Sequence, residues 1–131
     1  MNSEYSARTS KGPGFDLEPV NRNVKQASSI LKAMSNPHRL LVLCQLAEGE
    51  KSVGELEKIT GLSQSALSQH LARLRRQNLV KTRRQAQAIF YSLDGDEAAR
   101  IIGALHGIFA EAKAASPFGA DDGGRGQAAI G

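Results

Sequence analysis

The segment from Ser52 to Arg76 constrains the fold of this chain more than any other, because its pattern predicts two short helices joined at a glycine. Val53, Leu56 and Ile59 are apolar at three-residue steps, a spacing typical of a short amphipathic helix. Gly61 follows, at the position where a chain leaving a helix often needs a left-handed conformation that glycine adopts without steric cost. The segment is therefore predicted to fold as helix, turn and helix.

The second of these helices is predicted to begin after Ser63, whose hydroxyl oxygen can accept a hydrogen bond from a free amide of the first turn. Leu67, Leu71 and Leu74 recur at helical spacing, so one stripe of this helix should be buried. The other side carries short polar side chains followed by arginines: Gln64, Ser65, Ser68, Gln69, Arg73 and Arg76. Serine and glutamine can read base edges and arginine binds phosphate or guanine, so this face suits a DNA major groove. An ordinary solvated helix face would have a similar composition, and the polar residues by themselves leave both interpretations open.

Two runs of β-forming residues follow this helix and predict a hairpin with a polar tip at residues 85–87. The second run contains four β-formers: Ile89, Phe90, Tyr91 and Leu93. Neither Asn-Gly nor Asp-Gly occurs at the tip, so the turn type is not predicted. Helix, turn, helix and basic hairpin in this order form a winged helix-turn-helix. In that arrangement the second helix enters the major groove, and the hairpin, or wing, lies along the backbone or an adjacent minor groove.

The distribution of charge indicates a polyanionic partner. The chain has a formal charge of +4, yet the stretch between Glu57 and Asp94 contains no acidic residue. The cationic residues of that stretch are Lys58, Arg73, Arg75, Arg76, Lys81, Arg83 and Arg84. The rest of the chain therefore carries −3, and the whole positive excess falls on the helix-and-hairpin segment. The alternative is a merely solvated surface, which usually mixes the two signs.

The length of 131 residues suits one small domain. We expect a flexible N-terminal arm over residues 1–20, a DNA-binding and dimerisation domain over residues 21–115, and a glycine-rich flexible tail over residues 116–131. The chain has no run of about 18 apolar residues and no secretion signal, and its single cysteine fits a reducing compartment. The sequence thus predicts a cytoplasmic protein that does not associate with membranes.

Three further helices are predicted around the helix-turn-helix. The first begins near residue 23 and stops near Pro37, and the second, residues 38–48, is apolar almost all round and should be central. A last helix begins at Asp94 or Asp96 and has two apolar stripes. Because the first and last helices carry more apolar surface than so small a core needs, we expect them to pack together in a symmetric homodimer. Such a dimer places two recognition helices about 34–36 Å apart and prefers an inverted repeat.

From Leu31 to about Ala112 the chain resembles the ArsR/SmtB family of dimeric bacterial winged-helix repressors. The resemblance is carried by LKAMSNPHRLLVLCQL, SVGELEKITGLSQSALSQHLARLRRQNLV and TRRQAQAIFYSL. Within the family the chain is most similar to the HlyU/BigR/SqrR group of thiol-based regulators, which respond to reactive sulfur or oxidants. The resemblance implies a mainly α fold with a small β-hairpin, in the order of four helices, two strands and a last helix. It also implies repression by occupation of a promoter repeat in the bacterial cytoplasm, and release when a sensor site changes chemistry.

The sensor is where this sequence departs from that group. The resemblance implies a cysteine in the second helix paired with one in the last helix; Cys44 matches the first position, but the second falls at about Ala110. An intrachain disulfide or polysulfide bridge is therefore excluded. Two interpretations of Cys44 stay open. It is either a thiol that is oxidised, persulfidated or joined to another thiol, or a small apolar residue packed inertly among leucines.

Other activities find less support in the sequence. His38, His70 and His106 are widely separated and no Cys-x-Cys occurs, so we predict no metal site and no cofactor, although metal response is the family's other mode. No phosphate loop, nucleophile motif or carboxylate pair indicates an enzyme. A winged helix that binds protein, or DNA without sequence preference, is the remaining alternative.

Contacts with double-stranded DNA are predicted from both parts of the motif. Ser63 and the amides at the start of the recognition helix should hold phosphate, and the four serines and glutamines that follow should face base edges. Contacts with the backbone or minor groove are predicted for Arg73, Arg76, Arg83, Arg84 and Gln87. His70 is either a helix-packing residue or a DNA contact. Because the recognition helix offers amides and hydroxyls and places its arginines late, we expect A·T-rich half-sites.

Overall fold

The computed structural model describes residues 14–115 of the chain. Its elements are, in order, α1 (Glu18–Arg22), α2 (Val24–Met34), α3 (Pro37–Glu48), β1 (Lys51–Ser52), α4 (Val53–Thr60), α5 (Gln64–Arg76), β2 (Val80–Gln85), β3 (Ala88–Leu93) and α6 (Glu97–Ala115). The prediction of a mainly helical fold with a small antiparallel hairpin is confirmed, and α5 is the predicted recognition helix.

The turn between α4 and α5 forms as the sequence predicts. The Ser52 hydroxyl accepts a hydrogen bond from the Glu55 amide at 3.1 Å, and the Glu55 carboxylate accepts one from the Ser52 amide at 2.7 Å; this capping box starts α4. Gly61 ends α4 with a left-handed φ of 71°. The Ser63 hydroxyl then accepts from the Ala66 amide at 3.2 Å and starts α5. Both ends of the turn are therefore fixed by local hydrogen bonds.

The end of α5 directs the chain into the wing. The Asn78 amide donates to the Arg75 carbonyl at 2.9 Å, and the Leu79 amide donates to the Leu74 carbonyl at 3.0 Å. This pair of bonds is a Schellman motif, and Asn78, with a φ of 60°, occupies the left-handed position that usually holds glycine. Leu79 is buried and β2 begins at the next residue, so the start of the wing is held firmly against the recognition helix.

Helix α3 lies at the centre of the domain, as its apolar pattern predicts. It packs against α4, α5, α6 and β3 and buries Val42, Leu43 and Leu46. Helix α5 contributes the predicted stripe of Leu67, Leu71 and Leu74 to the same core. Burial of each of these leucines is worth about 1.5–3 kcal/mol, which keeps the opposite face of α5 directed outward.

The sheet has three strands rather than the two predicted, in the order β1-β3-β2, with both pairings antiparallel. Strand β1 has only two residues, too few for an alternating pattern to reveal it. A two-residue turn joins β2 to β3, with Gln85 paired to Ala88. Ala86, the first turn residue, has a φ of 55°, a conformation in which a two-residue hairpin normally prefers glycine.

The ends of the described region differ from the sequence prediction in one respect. Helix α1 begins at Glu18, inside the segment expected to be a flexible arm, and the Asp16 carboxylate accepts a hydrogen bond from the Glu18 amide at 3.0 Å. It buries no residue, so no apolar periodicity predicts it. Helix α6 begins at Glu97, after Asp96 rather than Asp94. The rest of the predicted arm and tail lies outside the described residues. Within residues 14–115 no helix is long and apolar enough to cross a membrane.

Candidate nucleic-acid interface

One face of α5 is polar and open to solvent. Its four predicted base-reading side chains, Gln64, Ser65, Ser68 and Gln69, are exposed, whereas the leucines of the opposite stripe are buried. Ser63, at the start of the helix, is also exposed. Amides of the first helical turn lack partners within the helix, so this end of α5 suits a phosphate oxygen. The structure thus brings these predicted residues together at one end and one face of a single helix.

The arginines of α5 lie in its last turn. Arg73 is half-buried, whereas Arg75 and Arg76 are exposed. Cations in the last turn interact favourably with the helix dipole, so these residues have a structural role even without DNA. The two ion pairs found within residues 14–115 involve other side chains, and the charges of Arg75 and Arg76 are directed to solvent.

His70 does not share the open face of the recognition helix. It is half-buried, and its Nδ1 lies 3.2 Å from Nη1 of Arg39 in α3. Arg39 is only 7% exposed; its Nε donates to the Ala33 carbonyl at 2.5 Å and its Nη2 to the Lys32 carbonyl at 3.3 Å. Sequence reasoning missed Arg39, although a charged residue within an otherwise apolar helix was the available signal.

On the wing, Arg83 is already paired within the protein. Its Nε and Nη2 donate to the two carboxylate oxygens of Glu50, each at 2.8 Å, and its Nη1 donates to Oε1 of Gln85 at 2.6 Å. Its guanidinium also stacks 4.7 Å from the centre of the Phe90 ring. Hydrogen bonding to Arg83 lowers the pKa of Glu50, and hydrogen bonding to Glu50 raises the pKa of Arg83. Glu50 was missed because it lies 33 residues from its partner, beyond any local pattern.

The other predicted wing residues are exposed, and they differ from Arg83 in their surroundings. Successive side chains of a strand point to opposite faces, so Arg84 lies on the other side of the hairpin from the Glu50 pair. Arg84 and Gln87 are exposed, as is Lys81. Among the described wing residues, Arg84 and Lys81 are the cations outside the two ion pairs. The wing therefore presents two outward charges and one charge held by a carboxylate.

Helices α2 and α6 leave apolar surface uncovered in a single chain. Leu31 on α2 is 56% exposed, and Phe109 on α6 is 69% exposed. A groove of about 510 Å³ lies between the two helices, with an apolar floor that includes Ile30 and Ile101. Val24 and Ile108 extend the exposed apolar surface along each helix. The surplus of apolar residues expected from the sequence is thus placed on the outside of the domain.

The sole cysteine lies on α3 at the edge of the core. The Cys44 side chain is half-buried and free. Burial raises the pKa of the Cys44 thiol, and the carboxylate of Glu48 one turn later raises it further. Ala110 lies exposed on α6. The environment of Cys44 therefore favours the neutral thiol, which is the less reactive form.

Among the described residues, the histidine side chains do not cluster with other side chains that could bind a metal ion. Within residues 14–115, no three His, Cys, Asp or Glu side chains are grouped as a metal ion would require. The rings of His38 and His70 are 5.8 Å apart, and His106 is exposed on α6. The basic and polar surface formed by α5 and the wing is the candidate site, because it joins an exposed row of hydroxyls and amides to outward arginines, which is the chemistry of nucleic-acid binding.

Comparison with known proteins supports this conclusion. The model of the family described as bacterial regulatory protein, arsR family, matches residues 36–82, from the cap of α3 into β2. The transcriptional activator HlyU of Vibrio cholerae is 48% identical over 102 residues, which cover 78% of this chain and 94% of that protein. The crystal structure of the transcriptional repressor BigR from Xylella fastidiosa superposes with a TM-score of 0.68 at 42% identity, covering 72% of this chain and 97% of that chain. A homodimeric winged helix-turn-helix DNA-binding domain from Mycobacterium bovis, a possible ArsR-family transcriptional regulator, superposes with a TM-score of 0.63 at 27% identity, covering 76% of this chain and 91% of that chain.

The fold, the open polar helix and these similarities define a winged helix-turn-helix transcriptional regulator that binds DNA. More particularly, the chain belongs to the arsR family of bacterial regulatory proteins. The resemblance noted from the sequence is confirmed at the level of the family and its DNA-binding function.

Proposed function

We propose that the chain binds an A·T-rich inverted repeat in a promoter as a homodimer and represses transcription there. The observation that carries this proposal is the exposed row of amides and hydroxyls on α5, held outward by a stripe of buried leucines. Glutamine can donate to and accept from adenine at N6 and N7, whereas arginine, the usual partner of guanine, occurs only late in this helix. The polar face is therefore better matched to A·T pairs.

The contacts with the DNA backbone come from the ends of this surface. Ser63 and the first amides of α5 hold a phosphate, and Arg73, Arg76, Arg84 and Gln87 contact the backbone or the minor groove. Arg83 contributes less directly, because Glu50 compensates its charge in the free protein. Backbone contacts of this kind set affinity and salt dependence, while the polar face of α5 sets sequence preference.

The homodimer is proposed from the exposed apolar sides of α2 and α6. Leu31 and Phe109 are more than half exposed, and side chains of this size are costly to leave in water on two neighbouring helices. The similar Mycobacterium bovis domain is described as homodimeric. Twofold packing through α2 and α6 directs two α5 helices to half-sites about 34–36 Å apart.

Repression is the proposed direction of control. Among similar proteins, HlyU is named an activator and BigR a repressor, so membership of the family does not by itself decide the sign. A dimer bound across a promoter repeat acts most simply by blocking access of RNA polymerase to that promoter. Transcription by purified RNA polymerase from a promoter with the bound repeat should therefore fall as the protein is added; a rise would establish activation instead.

Two roles are possible for Cys44, and its environment favours packing. The raised pKa keeps the thiol neutral, and Ala110 supplies no second sulfur on α6. The partial exposure of Cys44 favours the second candidate, a response of a single thiol to reactive sulfur or an oxidant. The two roles differ in one measurement. Polysulfide weakens promoter binding by the parent protein but not by Cys44→Ser if the thiol is a sensor, and affects both equally if it is not.

Binding measurements test the DNA-binding part of the proposal. The protein should select A·T-rich inverted repeats from a pool of random duplexes and bind them more tightly than scrambled duplexes at the same salt concentration. Equal affinity for selected and scrambled duplexes would favour non-specific DNA binding. Failure to bind any duplex would favour a winged helix that binds protein.

A further inference from the structure

Three helices meet where the recognition helix joins the rest of the domain, and one arginine connects them. Arg39 lies in the first turn of α3, and its guanidinium donates to the carbonyls of Lys32 and Ala33 at the C-terminal end of α2. The last carbonyls of a helix have no partners within it, so Arg39 caps α2. The third nitrogen of the same guanidinium, Nη1, lies 3.2 Å from Nδ1 of His70 on α5. The connection runs from α2 through Arg39 to the recognition helix.

The chemistry of this contact fixes the protonation state of His70. A guanidinium has donors and no acceptor, so Nδ1 of His70 must accept the bond and cannot carry a proton. The ring is therefore neutral, with its hydrogen on Nε2. Protonation of Nδ1 would remove the acceptor and place an imidazolium 3.2 Å from the permanent cation of Arg39.

The charges around His70 reinforce this preference. Arg39 and His38 face it from α3 and Arg73 faces it from α5, while α2 contributes the carbonyls that bind Arg39. Desolvation by burial lowers the pKa of His70 most, and the charges of Arg39, His38 and Arg73 lower it further. Each of these causes disfavours the imidazolium, so the neutral contact is stable near pH 7 and is lost on acidification.

We propose that His70 is a positioning residue for DNA binding: in its neutral form it holds the recognition helix, through Arg39, to the C-terminal end of α2. Protonation breaks this connection, so that α5, still anchored by its buried leucines, shifts relative to α2 and presents its polar face less accurately to the groove. The proposal rests on the proposed function, because it takes operator binding through α5 and dimerisation through α2 as given. It assigns His70 to the packing alternative, with an effect on DNA affinity that acts through another residue.

The sign of the pH dependence separates positioning from direct contact. An imidazolium that touched phosphate would strengthen DNA binding as the pH falls, because it adds a cation at the interface. A positioning histidine that must be neutral weakens binding over the same range. The parent protein should therefore lose about tenfold in affinity between about pH 7.5 and about pH 5.5 at constant ionic strength.

The experiment uses the full chain and the tightest duplex that it selects from a random pool at about pH 7.5. His70→Asn keeps an acceptor near the position of Nδ1 but does not titrate, so it should bind like the parent at the higher pH and change less than about twofold at the lower pH. His70→Leu removes the acceptor and should bind about tenfold more weakly at both values. His38→Asn is the comparison variant: because the charge of His38 lowers the pKa of His70, this variant should keep the loss of affinity on acidification and show it at a somewhat higher pH. Circular dichroism at both pH values confirms that each protein is folded.

The outcomes distinguish this inference from the proposed function. If the parent binds no duplex at about pH 7.5, the proposed function fails. If it binds selectively but its affinity rises or stays constant on acidification, the positioning role of His70 is wrong. A pH dependence that persists in His70→Asn and disappears in His38→Asn would also contradict it. The result for His70→Asn does not depend on whether His70→Leu folds.

Discussion

Gln69 and Arg84 lie on the exposed surface that we propose to face DNA, and they are expected to contribute in different ways. Gln69 is exposed on the polar face of α5, so Gln69→Ala should cost about 1–3 kcal/mol of binding free energy at one base pair and relax the preference there. Competition with singly altered duplexes checks this variant.

Arg84 is an outward wing cation, so Arg84→Ala should weaken binding to all sequences alike and lower the salt slope by about one. Measurement of affinity against salt concentration checks this variant. A changed preference with an unchanged slope in Arg84→Ala would contradict the position assigned to the wing.

Two neighbouring arginines of the wing offer a sharper comparison. Arg83 is bound by both carboxylate oxygens of Glu50, whereas Arg84 lies on the opposite face of the strand. Because Glu50 already compensates the charge of Arg83, Arg83→Ala should lower the salt slope clearly less than Arg84→Ala. Glu50→Gln releases Arg83 and should steepen the slope toward that of a protein with one more phosphate contact. Equal losses of slope in the two arginine variants would show that Arg83 leaves Glu50 when DNA binds.

His70 should also affect stability as the pH changes. Its pKa in the folded protein is lowered from the ordinary value of 6.5, so the unfolded chain binds the proton more readily. The free energy of unfolding therefore decreases as the pH falls through about 6.5 and continues to decrease until the folded-state pKa is passed. Urea unfolding between about pH 7.5 and about pH 5.5 should show a smaller decrease for His70→Asn than for the parent. Equal decreases would mean that groups other than His70 dominate the pH dependence of stability.

At the scale of elements, the wing turn contains a residue that its conformation disfavours. Ala86 has a φ of 55°, which crowds a Cβ atom that glycine lacks. Ala86→Gly should raise the free energy of unfolding by about 0.5 kcal/mol, because relief of this strain exceeds the extra entropy of glycine in the unfolded chain. Ala88→Gly is the matched control, since Ala88 is an exposed strand residue without a positive φ, and it should destabilise by about 0.5–1 kcal/mol. Thermal unfolding measures both.

How well each element could be predicted depends on the range of the interactions that define it. The turn between α4 and α5 was predictable because Gly61 and Ser63 act on their own helix ends. Strand β1 was not predictable, because its two residues are extended only through pairing with Tyr91 and Phe90, about forty positions away. Helix α1 was missed for a different reason: it buries nothing and so leaves no apolar pattern.

The same distinction applies to the candidate site: residues defined by a local pattern were predicted, and contacts with partners distant in the sequence were not. The exposed row on α5 follows from helical periodicity, so all four serines and glutamines were placed on one face correctly. By contrast, Arg83 binds Glu50 and His70 contacts Arg39, and both of these partners are distant in the sequence. The sequence identified Arg83 as part of a basic surface and left the role of His70 open, but only the tertiary structure shows that these two predicted contacts already have partners within the chain.

At the scale of the whole molecule, the proposed dimer through the apolar sides of α2 and α6 would turn one polar helix into a pair that recognises a defined repeat. A single α5 reads only a few base pairs, whereas two helices fixed by a twofold axis read a repeat with defined spacing. The same arrangement would make Arg39 important beyond its own domain, since it caps the end of a proposed dimer helix and contacts the recognition helix. Oligomeric state and DNA affinity should therefore change together.

Phe109→Glu tests this link directly. Phe109 is 69% exposed in the single chain, so the substitution should leave the fold intact while placing a carboxylate in the proposed interface on both protomers. Sedimentation should show a monomer, and affinity for the selected inverted repeat should fall by about a hundredfold, because the two half-sites are then bound independently. Phe15→Glu is the matched control, since Phe15 is 62% exposed but lies outside α2 and α6. A Phe109→Glu protein that stays dimeric, or a monomer that keeps the full affinity, would contradict twofold recognition through these helices.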